Sequence, residues 1–478
     1  MLHKKIGFVL GPLLFTLVHL FFRVDGLPKE GQDILAATLW IAVWWVFEVI
    51  PIAATALLPI ILFPLLDTIP LGDTTASYGH KYVFLYMGGF MLAMAIEKWN
   101  LHKRIALRII WVIGTNMYTI VLGFMVATAF LSMWISNTAT TVMVLPMAIS
   151  IVKQVTDNPK TSKNENTVFG KLLMLAIAYA ASIGGIATLI GTPPNLVFAG
   201  FVQEAYGVEI SFWQWMKFGL PISTVLLILA WLYLTRLAYP LDKVHFPGGK
   251  QEIKRLIAEL GPMGKEEKIV LSVFILTAFC WISRSFLLQK FVPGIDDTMI
   301  AIGSAIVLFI LPTGTKGRPI LKWSEAVRIP WGIILLFGGG MAIAKGFQDT
   351  GLAVYLGGQM TFFDGFSLLG ILLLVVASIN FLTEVTSNLA TTAMMLPVLA
   401  PLAISLEIPP FMLMVACTTA ASCAFMLPVA TPPNAVVFGS GYLRIPDMLK
   451  TGFFMNILSI LLMALAVYFI LPLTMDFS

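Results

Sequence analysis

Charge is what this sequence has least of. Only 12% of its 478 residues are Asp, Glu, Lys or Arg, against 58% hydrophobic and a mean hydropathy of +0.90. Soluble globular chains carry about 25% charged residues, so a soluble fold is excluded and a polytopic membrane protein implied. Cysteine is scarce too: Cys280, Cys417 and Cys423 lie in apolar stretches without CxxC spacing. That excludes a disulfide framework and a zinc site and leaves them as core filler. Of the five histidines, His3, His19, His80, His102 and His245, most fall at expected loops or membrane edges, and no two flank a carboxylate at helical spacing. A metalloenzyme has no ligands here, and no nucleophile and base stand out for a membrane enzyme. The net charge of +5 belongs to scattered basic loops and makes no nucleic-acid surface.

What the chain does have is apolar stretches of about 20 residues, the length that crosses a bilayer. Spans are expected at 6–22, 34–50 and 52–66, the last two a tight pair broken near Glu48 and Pro51. The first follows His3, Lys4 and Lys5 as a signal peptide would. With no small-residue cleavage site before Arg23 and Asp25, it reads as a retained helix. After a polar loop at 67–81 comes a span at 82–96 carrying Gly88 and Gly89, then a basic amphipathic piece from Glu97 to Arg108 suited to the membrane surface. Further spans are expected from 172, at 218–237, 269–288, 299–311 and 331–344, from 411, and at 448–473. Hydrophilic connections fall at 153–166 and 239–268, a basic loop runs through Lys316, Arg318, Lys322 and Arg328, and a second amphipathic piece covers 345–360.

Two apolar runs are too polar at their centres for a simple span. The run at 118–152 contains Ser136-Asn137-Thr138, and that at 366–406 contains Ser387-Asn388-Leu389. At mid-membrane such groups must face protein, a wet cavity or a ligand. Each run is therefore read as a re-entrant helical hairpin with Ser-Asn at its tip. Each is followed by a span interrupted at the same tetrapeptide, Thr192-Pro193-Pro194-Asn195 and Thr431-Pro432-Pro433-Asn434, where paired prolines free backbone carbonyls. The hairpin tips are 251 residues apart, the breaks 239 and the Gly88 and Gly338 pairs 250, so half the chain has been duplicated. An odd number of crossings between the copies makes the repeat inverted. With the N-terminus in the cytoplasm and the C-terminus outside, 23 of the 30 Lys and Arg fall inside. Only Arg23, Lys29, Lys81, Lys217, Arg284, Lys290 and Lys345 fall outside, as the positive-inside rule requires.

A lone Ser or Gly-Pro within a membrane helix is ordinarily packing or a kink. Recurrence of both features in the same order argues for a site. Helices beginning at Ser-Asn present amides and a dipole that favour an anion. None of the four motifs contains Lys or Arg. A dianion would enter low dielectric uncompensated unless cations came with it. Freed carbonyls and Asn oxygens suit a hard monovalent cation, so co-bound sodium is expected. Glu384 and Glu48, carboxylates within apolar stretches, fit proton carriers, and fit better as groups hydrogen-bonded at a helix junction or near the interface. Met394, Met395 and Phe425 read as packing.

Both hairpin motifs, both tetrapeptide breaks, the basic surface pieces and the stretch from Trp44 and Trp45 through Glu48 to Pro51 resemble the divalent anion:sodium symporter family of dicarboxylate, citrate and sulfate carriers. The likeness is greatest to bacterial dicarboxylate members and spans essentially the whole chain. It implies an all-α polytopic membrane protein with about 11 transmembrane helices plus two re-entrant hairpins. It further implies a homodimer in the lipid of the inner membrane, with scaffold segments 1–117 and 239–360 and transport segments 118–238 and 361–478 moving as an elevator. The function implied is sodium-coupled import of a C4-dicarboxylate such as succinate, malate or fumarate. A sodium-independent dicarboxylate exchanger and a citrate or sulfate carrier are the alternatives. Carried over by residue, one sodium site uses Ser132, Ser136, Asn137 and the carbonyl near Gly191, and the other Thr383, Thr386, Asn388 and the carbonyl near Ala430. Substrate carboxylates meet Ser136, Asn137, Thr138, Ser387, Asn388, Thr431 and Pro432. The second motif departs from the family at Leu389, which replaces a threonine and removes a hydroxyl.

Overall fold

Backbone amides in hydrocarbon have no water to bond, and only helices satisfy them within one segment. The computed structural model, which describes residues 2–114, 116–155, 164–240, 249–314, 317–359 and 365–475, is accordingly helical. Its one β feature among the described residues is an isolated bridge between Pro312 and Pro319. His245, Lys316, Met360 and the middles of the 153–166 and 239–268 connections lie outside the described residues.

Helix α1 (Leu2–Phe21) lies against α2 (Lys29–Phe47), which ends as Glu48 turns left-handed at φ 44°. The expected third span is two pieces, α3 (Ile52–Thr55) and α4 (Leu58–Leu65). Pro59 has no amide for the carbonyl four residues back, and the nearby Ala56 carbonyl is taken by the Tyr78 hydroxyl. The polar loop holds α5 (Leu71–Ala76) and a 3₁₀ turn. Next come α6 (Lys81–Lys98) and the amphipathic arm α7 (Leu101–Ile113), set off by Asn100 at φ 55°.

The first hairpin is α8 (Met117–Ser132) and α9 (Asn137–Val152), and the broken span is α10 (Glu165–Ile186) and α11 (Pro193–Tyr206). Helix α12 (Phe212–Leu232) starts six residues before the expected span because Ser211 and Gln214 form a capping box. Then follow the surface helix α13 (Gly249–Glu259), α14 (Lys265–Ser283), α15 (Gln289–Phe291), α16 (Asp297–Ile310) and α17 (Trp323–Ala326). A hydrogen bond from Ser150 on α9 to Glu252 ties α13 down, and Arg255 beside Glu252 holds its carboxyl below the usual range.

The second copy is α18 (Trp331–Asp349), α19 (Leu352–Gly358), the hairpin α20 (Leu368–Thr383) and α21 (Asn388–Ser405), the broken span α22 (Pro410–Ala421) and α23 (Pro432–Phe438), then α24 (Ile445–Phe469) and α25 (Leu471–Thr474). The second amphipathic piece is shorter than expected, since its first residues prolong α18.

Seven helices among the described residues are long and apolar enough to cross a membrane. One of the seven, α21, is an arm of the second hairpin and not an expected crossing, and the expected crossings at 52–66, at 299–311 and from 411 fall on shorter apolar helices. Helix α10 is 94% buried over its most apolar window and forms the interior, while α1 is 11% buried and stands at the rim. Each hairpin packs on its own broken span, α8 and α9 on α10 and both α20 and α21 on α22. Each also reaches across the repeat, α9 packing on α23 and α21 on α11. This exchange brings both tips and both breaks to one place.

At one end of the molecule Arg284 pairs with Glu209 (2.7 Å) and Asp297 (2.8 Å), and Lys81 with Asp296 (3.1 Å). These pairs join α6, α14 and α16 to the turn before α12.

Candidate functional site

The first tip is built by a cap. Ser136 starts α9, its Oγ accepting from the Ala139 amide at 3.3 Å and its carbonyl from Thr140 at 3.0 Å. Asn137 then points back toward α10. The end of its amide lies 2.5 Å from Ser132 Oγ and 3.2 Å from the carbonyl oxygens of both Ala181 and Gly191. Turned with nitrogen inward, Asn137 donates to all three. Turned with oxygen inward, it makes a cluster of four oxygens, and the single proton of Ser132, which also lies 2.7 Å from Ala181 O, cannot satisfy it. A cation relieves that repulsion. Gly185 makes the approach possible, because a Cβ there would stand 2.7 Å from Asn137 Oδ1.

The second tip repeats the pattern. Thr383 Oγ1 donates to Asn388 Oδ1 at 2.8 Å and lies 3.2 Å from the Ala421 carbonyl. Thr386 Oγ1 bonds Leu382 O (2.8 Å) and Thr391 Oγ1 (2.6 Å). Ser387 starts α21 without a side-chain cap bond.

Each break is held by the last residue of its tetrapeptide. Asn195 Nδ2 donates to the carbonyls of Gly185 (3.1 Å) and Thr188 (2.7 Å), and Asn434 Nδ2 to those of Leu427 (3.0 Å) and Ala424 (3.4 Å). Both side-chain oxygens are buried, with no partner among the described residues. Thr431 caps α23 through the Asn434 amide at 3.2 Å.

The two halves share one cavity of about 1120 Å³. Ser136, Asn137, Thr138, Gly191, Thr192 and Pro193 line it from the first copy, and Thr386, Ser387, Asn388, Leu389, Ala430, Thr431 and Pro432 from the second. Ser132 and Thr383 are fully buried behind Asn137 and Asn388. Every residue carried over as a sodium or substrate ligand is thus at the cavity or directly behind it. Tyr86, Pro330, Gly332, and His3 and Lys4 of the N-terminal helix also line it. Sequence reasoning missed them because they lie outside the repeated motifs. The Ala181 and Ala421 carbonyls carried no signal at all, since any residue has one. Glu384 is buried and hydrogen-bonded at a helix junction, as the sequence favoured. Glu48 is exposed on the cavity wall.

A family model for the sodium:sulfate symporter transmembrane region matches residues 4–475. The chain belongs to this family. Relatives within reach of direct comparison include two sodium-dependent dicarboxylate transporters named SdcS. That of Staphylococcus saprophyticus is 47% identical over 98% of this chain and 92% of its own. That of Staphylococcus aureus strain MRSA252 is 47% identical over 99% and 92%. Among solved structures, the YdaH transporter of Alcanivorax borkumensis shares the fold with a TM-score of 0.59 at 15% identity, covering 91% of this chain and 98% of that one. MtrF of Neisseria gonorrhoeae does so at 0.55 and 12%, covering 98% and 95%. The sodium:sulfate symporter family is a transporter family, and the absence of a catalytic constellation in the sequence agrees with membership.

Proposed function

We propose that this protein is a sodium-coupled importer of C4-dicarboxylates such as succinate, malate or fumarate. One observation carries the reading: two Ser-Asn tips and the Thr-Pro starts of both breaks, from opposite halves, line a single cavity, and none of the four motifs contains Lys or Arg. The relatives named as sodium-dependent dicarboxylate transporters support it. Substrate carboxylates lie between Ser136, Asn137 and Thr138 on one side and Ser387, Asn388, Thr431 and Pro432 on the other, against helix N-termini. Sodium binds Ser132, Ser136, Asn137 and the Gly191 carbonyl at one site, and Thr383, Thr386, Asn388 and the Ala430 carbonyl at the other. Two sodium ions offset the dianion's charge, which is why substrate and cation travel together.

The protein works as a homodimer in the lipid of the inner membrane, with its N-terminus in the cytoplasm and its C-terminus outside. Segments 118–238 and 361–478 carry the site as an elevator past a scaffold of 1–117 and 239–360. His3 and Lys4 line the cavity, which supports a conformation open toward the N-terminal side. Uptake of radiolabelled succinate into proteoliposomes tests the reading. Uptake should require an inward sodium gradient and be blocked by excess unlabelled dicarboxylate more than by sulfate or citrate. Uptake that ignores sodium but needs internal dicarboxylate would replace symport with exchange, and preferential block by sulfate or citrate would change the substrate.

A further inference from the structure

Among the differences between the two halves of the site, one changes a charge. In the second copy the residue after Thr383 is Glu384, 3% exposed, and 251 residues earlier the equivalent position is Met133. Glu384 Oε1 accepts from the amides of Phe425 (2.8 Å) and Met426 (3.0 Å) and from Asn456 Nδ2 (2.7 Å). Its Oε2 accepts from the amides of Met426 (3.2 Å) and Leu427 (3.0 Å). Both oxygens therefore face N–H donors alone, the environment of an ionised carboxylate and not of a carboxyl with a proton to give. No Lys, Arg or His forms an ion pair with it among the described residues.

The first break has no such charge. There the link between tip and break is neutral, Thr188 Oγ1 donating to the Met133 carbonyl at 2.6 Å. Glu384 is linked to both parts of the second sodium site. It is bonded in sequence to Thr383, and the amides it grips lead into Ala430, whose own amide bonds the Leu427 carbonyl at 3.2 Å.

We propose that Glu384 is a positioning residue and fixed countercharge for the second sodium site, which therefore binds sodium more tightly than the first and fills before it. The proposal rests on the sodium-coupled reading above. A buried negative charge next in sequence to a sodium ligand is screened weakly, and the first site has only neutral oxygens. The amides of residues 425–427 are occupied by Glu384, so they hold the break and do not hold substrate.

Binding of radiolabelled sodium to the purified protein, without dicarboxylate, tests this. The wild type should bind in a tight and a weak phase, with Thr383→Ala removing the tight phase and Ser132→Ala the weak one. Glu384→Gln should weaken the tight phase about tenfold or more and Glu384→Asp, which keeps the charge, by threefold or less. Loss of the tight phase in Ser132→Ala overturns the proposal even should Glu384→Gln fail to fold. So does wild-type sodium binding in Glu384→Gln, or equal damage in Glu384→Asp and Glu384→Gln, which would mean that shape and not charge matters. A wild type that binds no sodium would instead remove the sodium-coupled reading itself.

Discussion

Asn137 and Asn388 each do two jobs, starting a helix and turning an amide into the space behind the tip. Asn137→Ala or Asn388→Ala should abolish sodium-driven uptake in proteoliposomes while the purified variants keep the wild-type circular dichroism. Normal transport by both would remove the paired-motif site. Gly185→Ala should act at a distance from substrate, pushing Asn137 out of line and raising the sodium concentration for half-maximal uptake by about 10–100-fold, as loss of ligand support does elsewhere. Leu389, 5% exposed on the cavity wall, offers substrate no hydrogen bond. Leu389→Thr adds one, and at about 0.5–1.5 kcal/mol per net bond competition assays should show a reordered ranking of dicarboxylates. An unchanged ranking would mean the side chain faces away. At this scale the side chains proposed as ligands stand out in the sequence because Ser, Thr and Asn are conspicuous in apolar surroundings. The Ala181 carbonyl beside Asn137 does not stand out, because only folding brings it there.

Arg284 ties elements together and touches no part of the cavity. Its side chain and that of Asp297 are each 4% exposed, and removing one member of a buried pair leaves the other uncompensated. Arg284→Ala should therefore cost about 3–5 kcal/mol and lower the unfolding temperature in detergent. A variant as stable as the wild type would show that the pair is solvated in the membrane-bound protein. Hairpins and broken spans could be read from the sequence because Pro and Ser-Asn act locally, on the residues beside them. Helix α13 within the hydrophilic connection could not, because it is held by Ser150 and by packing on α7 and α9. The split of the third span turns on Pro59, which lies within the apolar run at 52–66.

At the scale of the whole molecule, the cavity is flanked by His3 and Lys4 of the N-terminal helix. In a cysteine-free background, T138C and K4C should be labelled from the same side of the membrane by an impermeant thiol reagent, and sodium with succinate should slow labelling of T138C alone. Labelling from opposite sides would contradict the cavity's placement. The repeat was legible from spacing, but the exchange of α9 onto α23 and α21 onto α11 was not, since spacing says nothing of which copy a helix leans on. That exchange bears on how the protein is made. Helix α9 leaves the ribosome roughly 280 residues before α23, about 14–56 s at about 5–20 residues per second. For that interval α9 stands in the membrane without the helix on which it will pack. The newly inserted first half is therefore the stage at which membrane chaperones and proteases have their longest access to this chain.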